Sequence, residues 1–136
     1  MKRGRVLTID IREYPDLPQN GRITYLLGSS TSDAIIQKVT SLIHPGDKVM
    51  VVLDSDHSKA HVLDELRLYS RIVTVGNYLV VEDTDLSGHP LPYGPYPGPM
   101  EAVEEFLKIN SDFVQDRARE MSGVTDFPGG WLKRVR

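Results

Sequence analysis

Two short stretches of this chain hold residues whose types and spacing could do chemistry. Asp54-Ser55-Asp56-His57 follows the apolar run Val49-Met50-Val51-Val52-Leu53, and Glu82-Asp83-Thr84-Asp85 follows Tyr78-Leu79-Val80-Val81. Valine-rich runs of this length read as buried strands of a parallel sheet. Residues 58 to about 72 between them have the length of a helix, so the unit reads strand-helix-strand. Its two strands then point the same way and end at one edge of the sheet, the edge where open α/β sheets bind ligands. Carboxylates gathered there repel one another unless a cation sits among them. A hard divalent ion, Mg²⁺ or Ca²⁺, is the simplest candidate because it takes oxygen ligands. Asp54, Asp56, Glu82, Asp83 and Asp85 supply the carboxylates from which such an ion could draw its ligands; the alternative is that the carboxylates fan out into solvent.

Asp54 and Asp56 are two apart and face the same side of an extended chain, so both could reach one ion. The D-x-D pattern also suits a metal-nucleotide-sugar site. It fits a nucleophilic aspartate poorly, because Ser58 stands where that pattern expects Thr or Val. His57 and His61 are four apart, and without a third nitrogen nearby a zinc site is not expected. His57 is instead a candidate general base beside the metal. His89, in a loop, is expected to be solvated.

Asp10 closes an earlier apolar run. In doubly wound sheets an acid at such a strand end often hydrogen-bonds the ribose hydroxyls of a nucleotide-like cofactor. Ser29 and Ser30 could contact an adenine edge or simply cap the following helix. The sequence has no P-loop, no G-x-G-x-x-G and no G-x-S-x-G elbow.

These residues need elements to position them. Val6 to Ile11 is a predicted strand ending near Asp10, and Arg22 to Leu27 is a second. A helix starting near Thr31 or Ser32 carries Ile35, Ile36, Val39, Leu42 and Ile43 at helical spacing and stops at His44-Pro45-Gly46. The next helix has Val62, Leu63, Leu66 and Tyr69 on its inner face. Residues 86–99 form a Pro/Gly loop directly after the second acidic stretch, a lid over the ligand edge or a stiff connector. Pro99 fits the first position of a helix whose inner face holds Met100, Val103, Phe106 and Leu107. A further short helix is expected over Asp112 to Met121, then a loop at Asp126 to Gly130 and a short final strand. This alternation predicts an α/β sheet with right-handed crossovers.

Composition agrees with a soluble globular protein. The 136 residues suffice for one domain, expected to run over 1–136; 40% are hydrophobic and 26% charged. A net charge of -3 gives no field favouring nucleic acid or an anionic membrane. There are no cysteines, which excludes disulfides and thiolate chemistry and fits a reducing compartment. No run approaches the roughly 18 apolar residues of a membrane span. A cytoplasmic location is the expectation.

The chain resembles the cephalosporin hydroxylase / rhamnosyl O-methyltransferase family. The resemblance lies in Gly4-Arg-Val-Leu-Thr-Ile-Asp-Ile-Arg12, Arg22-Ile-Thr-Tyr-Leu-Leu-Gly-Ser-Ser-Thr31, Val52-Leu-Asp-Ser-Asp-His-Ser58, Tyr78-Leu-Val-Val-Glu-Asp-Thr84 and Gly129-Gly-Trp-Leu-Lys-Arg134. The helix opening Gly-Pro-Met-Glu-Ala-Val-Glu-Glu-Phe-Leu after the Pro/Gly loop agrees. The resemblance implies a Rossmann-like class I methyltransferase sheet, S-adenosylmethionine as methyl donor and a divalent cation such as Mg²⁺. It implies that Asp10 holds the cofactor's ribose, that Ser29 and Ser30 lie near the adenine, and that Asp56 (or Asp54), Glu82 and Asp83 hold the metal. The acceptor would be a hydroxyl of a sugar, a lipid-linked glycan or an antibiotic-like small molecule.

Family members begin with a helical region and a strand bearing a glycine-rich loop for the cofactor's methionine part. Here nine residues precede Asp10 and include no such loop. The expectation is therefore an N-terminally truncated domain that lacks a central strand: a truncated reading frame, a fragment, or a reduced protein that completes its sheet by association, with weak or absent cofactor binding in this chain alone, or a homo-oligomer. Two alternatives accompany the methyltransferase reading: a non-catalytic metal- or ligand-binding remnant, and a D-x-D nucleotide-sugar transferase.

Overall fold

The computed structural model describes residues 4–120 and 125–136. The chain divides into two compact units, residues 1–45 and 46–136.

The first unit holds β1 (Val6–Asp10), β2 (Ile23–Leu27) and α1 (Asp33–Ser41). The two strands pair in parallel, with Asp10 opposite Leu27, so their carboxyl ends coincide. Gly28 follows β2 at φ +152°, and a Cβ there would lie 2.9 Å from the Ile35 side chain. Glycine thus lets the strand end come close to α1. Ser32 is the N-cap of that helix, its hydroxyl accepting the Ile35 N–H. Ile35 and Val39 are the buried residues of α1, two of the five predicted. The helix ends at Ser41, short of the predicted stop at His44-Pro45-Gly46, which lies in a turn.

The second unit holds β3 (Val51–Leu53), α2 (Lys59–Tyr69), β4 (Tyr78–Val81), α3 (Pro99–Ile109), β5 (Phe113–Gln115), a 3₁₀ turn (Arg117–Glu120) and β6 (Trp131–Arg134). Its sheet runs β3-β4-β6-β5. β3 and β4 are parallel and joined through α2, as predicted, whereas β6 is antiparallel to both β4 and β5. The helix expected over Asp112 to Met121 is corrected. Its first part is β5, with Phe113 buried under Phe106 at 5.6 Å between ring centroids, and only Arg117–Glu120 turns; Met121 lies outside the described residues. Pairing with β6 satisfies this backbone and fixes β5 as a strand.

The core lies on α2, α3 and the two central strands. Val62, Leu63, Leu66 and Tyr69 are buried as the spacing predicts, on a helix that packs against α3, β3 and β4; Ala102, Val103 and Phe106 of α3 and Leu79, Val80, Val81 and Leu132 of the sheet are buried as well. Met100 and Leu107 are only half-buried. Pro99 is the first residue of α3, and the Glu101 carboxylate accepts the Gly98 N–H at 2.7 Å. That bond satisfies a donor the helix start would otherwise leave free.

The Pro/Gly loop folds on itself. Ser87 N–H donates to Tyr93 O, Gly88 N–H to Leu91 O, and the Ser87 hydroxyl to Pro95 O. Its far end receives the Lys59 N–H at Pro97 O, at the start of α2. His89 is not solvated as expected: it lies 2.7 Å from Glu101 and is half-buried.

Candidate functional site

Register builds the site in the second unit. Leu53 pairs with Val81, and Glu82 N–H donates to Leu53 O at 3.0 Å. The residues that follow, Asp54 on one strand and Glu82-Asp83 on the other, therefore leave the sheet side by side. Asp83 takes φ 55°, the left-handed region that aspartate tolerates better than most residues.

Three donor atoms converge there. One from each of Asp54, His57 and Asp83 lie within 4.8 Å of one another. His57 Nε2 is 3.0 Å from Asp83 Oδ2 and 3.5 Å from Asp54 Oδ1. That nitrogen is buried and makes no hydrogen bond, despite the short approach to Asp83. The carboxylate is near but off the line an N–H would need. Glu82 belongs to the same electrostatic group. Burial pushes its carboxyl up, and the charges of Asp54, Asp83 and Asp126 push it further. Asp85 is buried with Oδ1 unbonded, and burial raises its carboxyl too.

Asp56 is turned elsewhere. Its Oδ1 accepts the Ser58 N–H at 2.8 Å at the start of α2, and bonds to the Ser58 side chain and backbone hold its carboxyl below the ordinary range. The structure thus brings Asp54, His57 and Asp83 together with Glu82 beside them, while Asp56 serves a helix terminus.

In the first unit, Asp10 is exposed at the end of β1. Its Oδ1 accepts the Arg12 N–H at 2.8 Å. The Ser29 hydroxyl lies 3.1 Å from that of Thr31, and Ser29 O accepts the Ser32 hydroxyl. Asp10 and the turn 28–30 share one edge, because Gly28 N–H donates to Asp10 O.

Sequence reasoning missed Glu65. It is only 2% exposed on α2, accepts the Ser55 hydroxyl at 2.9 Å and lies 3.6 Å from His61 Nε2. The signal available was a glutamate between Leu63 and Leu66 on the inner face.

The donor set fits a divalent cation. It has carboxylate oxygens, a ring nitrogen that makes no hydrogen bond, and separations suited to ligands of one ion.

A family model described as rhamnosyl O-methyltransferase/CmcI matches residues 1–135. The chain belongs to this family. Membership implies a methyltransferase fold, of which the strands and helices above are the α/β elements. Rhamnosyl O-methyltransferases of Mycobacterium tuberculosis (H37Rv) and Mycobacterium bovis (BCG) are each 39% identical over 137 residues, covering 96% of this chain and 56% of the relative. That of Mycobacterium leprae is also 39% identical, with 59% of its length covered. The chain thus spans little more than half the length of these curated relatives. Among the described residues no helix is long and apolar enough to cross a membrane.

Proposed function

We propose that this chain carries the cation-binding and adenosine-binding edges of an S-adenosylmethionine-dependent O-methyltransferase that acts on a sugar hydroxyl. The observation that carries the reading is the convergence of Asp54, His57 and Asp83 at the ends of paired strands in a member of this family. The relatives' name favours a rhamnosyl acceptor; a lipid-linked glycan or an antibiotic-like acceptor shares the hydroxyl chemistry.

Asp10 accepts hydrogen bonds from the ribose hydroxyls through the oxygen that Arg12 leaves free, and Ser29 and Ser30 face the adenine. Asp54 and Asp83 hold the cation, with Glu82 adding negative charge. The sequence reading also placed Asp56 among the ligands; its bond to Ser58 must open for it to join. A bound cation of this kind lowers the pKa of a hydroxyl it coordinates and helps align that oxygen with the methyl carbon. The sequence reading made His57 the candidate base beside the metal, a role that would need a proton at Nε2. At Nε2, taking that proton and holding the cation exclude each other. Mg²⁺ is the cation expected from oxygen ligands alone. The loop 86–99, tied to Lys59 at one end and following Asp85 at the other, would border the acceptor in this reading.

The test is calorimetric titration of S-adenosylmethionine into the 136-residue chain with Mg²⁺ present. Saturable binding that Asp10→Ala abolishes supports the reading, and methyl transfer to a methyl rhamnoside then checks the acceptor. A folded sample with no heat of binding overturns it for this chain alone. The second reading, a non-catalytic metal- or ligand-binding protein, is favoured by one observation: Asp10 Oδ1 and the Ser29 hydroxyl are already engaged locally. Nothing in the geometry favours a D-x-D nucleotide-sugar transferase, since Asp54 and Asp56 do not close on one point.

A further inference from the structure

We infer that His57 is a cation ligand through Nε2 rather than the base, and that the site therefore selects a nitrogen-accepting first-row transition cation over Mg²⁺. This rests on the cation-binding part of the function proposed above and is independent of whether a methyl group is transferred.

Nε2 is enclosed and makes no hydrogen bond, yet it stands 3.0 Å from one carboxylate oxygen and 3.5 Å from another. The line from Nε2 to the Asp83 oxygen is short but poorly aligned for an N–H, so a hydrogen bond does not account for the approach. A bare nitrogen sets its lone pair among the lone pairs of two carboxylates, which is repulsive unless a cation lies between them. The separations agree with that arrangement. Ligand bonds of about 2.0–2.3 Å at right-angle to tetrahedral spacing put neighbouring donor atoms ~3–3.7 Å apart. Both measured distances from Nε2 fall in that range without the side chains moving.

His57 also sits where a ligand must be held. It is three residues after Asp54 on the same turn, and the Ser58 that follows is fixed by the bond from its N–H to Asp56. Neither Asp54 nor Asp83 is buried, so the cation has access.

The donor set then decides which ion. Oxygen ligands alone suit Mg²⁺ and Ca²⁺, whereas imidazole favours later transition metals, whose affinity for a mixed site rises from manganese through cobalt to nickel. Two carboxylates and one imidazole make a mixed site of this kind, with positions left for water or an acceptor oxygen.

The experiment uses the full chain with Mn²⁺, Co²⁺ and Mg²⁺ as probes. Calorimetry is expected to show Co²⁺ binding at least tenfold more tightly than Mg²⁺, with the preference collapsing in His57→Ala. Pulsed electron paramagnetic resonance of the Mn²⁺-loaded chain is expected to show ¹⁴N modulation from a directly bound imidazole. That signal should vanish in His57→Ala and His57→Gln and persist in His61→Ala and His89→Ala. Circular dichroism melts establish that each variant is folded. Divalent binding without ¹⁴N modulation, or modulation that survives in both His57 variants, overturns the inference and returns His57 to the role of base. If no divalent ion binds a folded chain, the cation site itself falls and the inference with it. Cation binding with His57-dependent ¹⁴N modulation but no response to S-adenosylmethionine upholds the inference while the methyltransferase reading fails.

Discussion

Ser55 donates a 2.9 Å hydrogen bond to Oε1 of Glu65, ten residues further along the chain. The acceptor is a carboxylate buried to 2% exposure, and its other oxygen has no hydrogen-bond partner. Ser55 lies between Asp54 and Asp56, so this bond fastens the loop bearing the candidate ligand to α2. Removing the donor takes away the hydrogen bond of a buried carboxyl oxygen, which carries the desolvation penalty of that group. Ser55→Ala is therefore expected to lower unfolding stability by about 1.5–3 kcal/mol, measured by urea denaturation. Ser55→Thr, which keeps the hydroxyl, should recover most of it. An alanine variant within experimental error of the native chain would show that Glu65 does not depend on this donor.

The Glu101 carboxylate bridges His89 and the N–H of Gly98. Burial works against its ionised form, but the bonds from His89 and Gly98 win and hold the carboxyl below its ordinary value of 4.5. A depressed folded-state pKa stabilises above the unfolded value and is lost as pH falls through the folded one. The stability difference between the native chain and Glu101→Gln should be full above about pH 4.5 and shrink as the solution becomes more acidic. Thermal melts of both proteins across that range check it. A difference that stays constant down to the acid limit would remove Glu101 from the account.

Gly130 meets the end of β4 closely. Val81 N–H donates to Gly130 O, and a Cβ on residue 130 would collide with Val81 O. Since that carbonyl belongs to the strand leading into Glu82, it cannot rotate away. Gly130→Ala should destabilise at the upper end of the ~1–3 kcal/mol typical of overpacking and displace the acidic turn. Calorimetric melting measures the first effect, and loss of Mn²⁺ affinity reports the second. Gly21→Ala, where a Cβ meets nothing within 4 Å, is the control expected to melt as the native chain does.

Phe106 is 1% exposed and meets the Phe113 ring of β5 at a tilt. Phe106→Ala should cost about 3–5 kcal/mol, read from denaturant midpoints. Phe106→Leu, which refills most of the volume, should cost well under half as much.

The sequence by itself determined the elements whose signal is local. Short apolar runs marked β1 to β4, Thr31 or Ser32 before the apolar spacing marked the start of α1, and Pro99 marked the first turn of α3. The same local signals brought Asp54, Glu82 and Asp83 to one sheet edge, because a strand-helix-strand unit leaves both strand ends together. Family membership was also legible, being a property of residue order. The tertiary structure decided what depends on partners far along the chain. Residues 113–115 became a strand only because β6 offered backbone donors and acceptors beside them. His89 found Glu101 across the Pro/Gly loop. Asp56 was drawn from the cluster by the free N–H of Ser58 at the start of α2, while His57 was carried into it. A D-x-D-H string names four side chains, and the direction each one takes depends on the helix that follows and the strand that lies alongside.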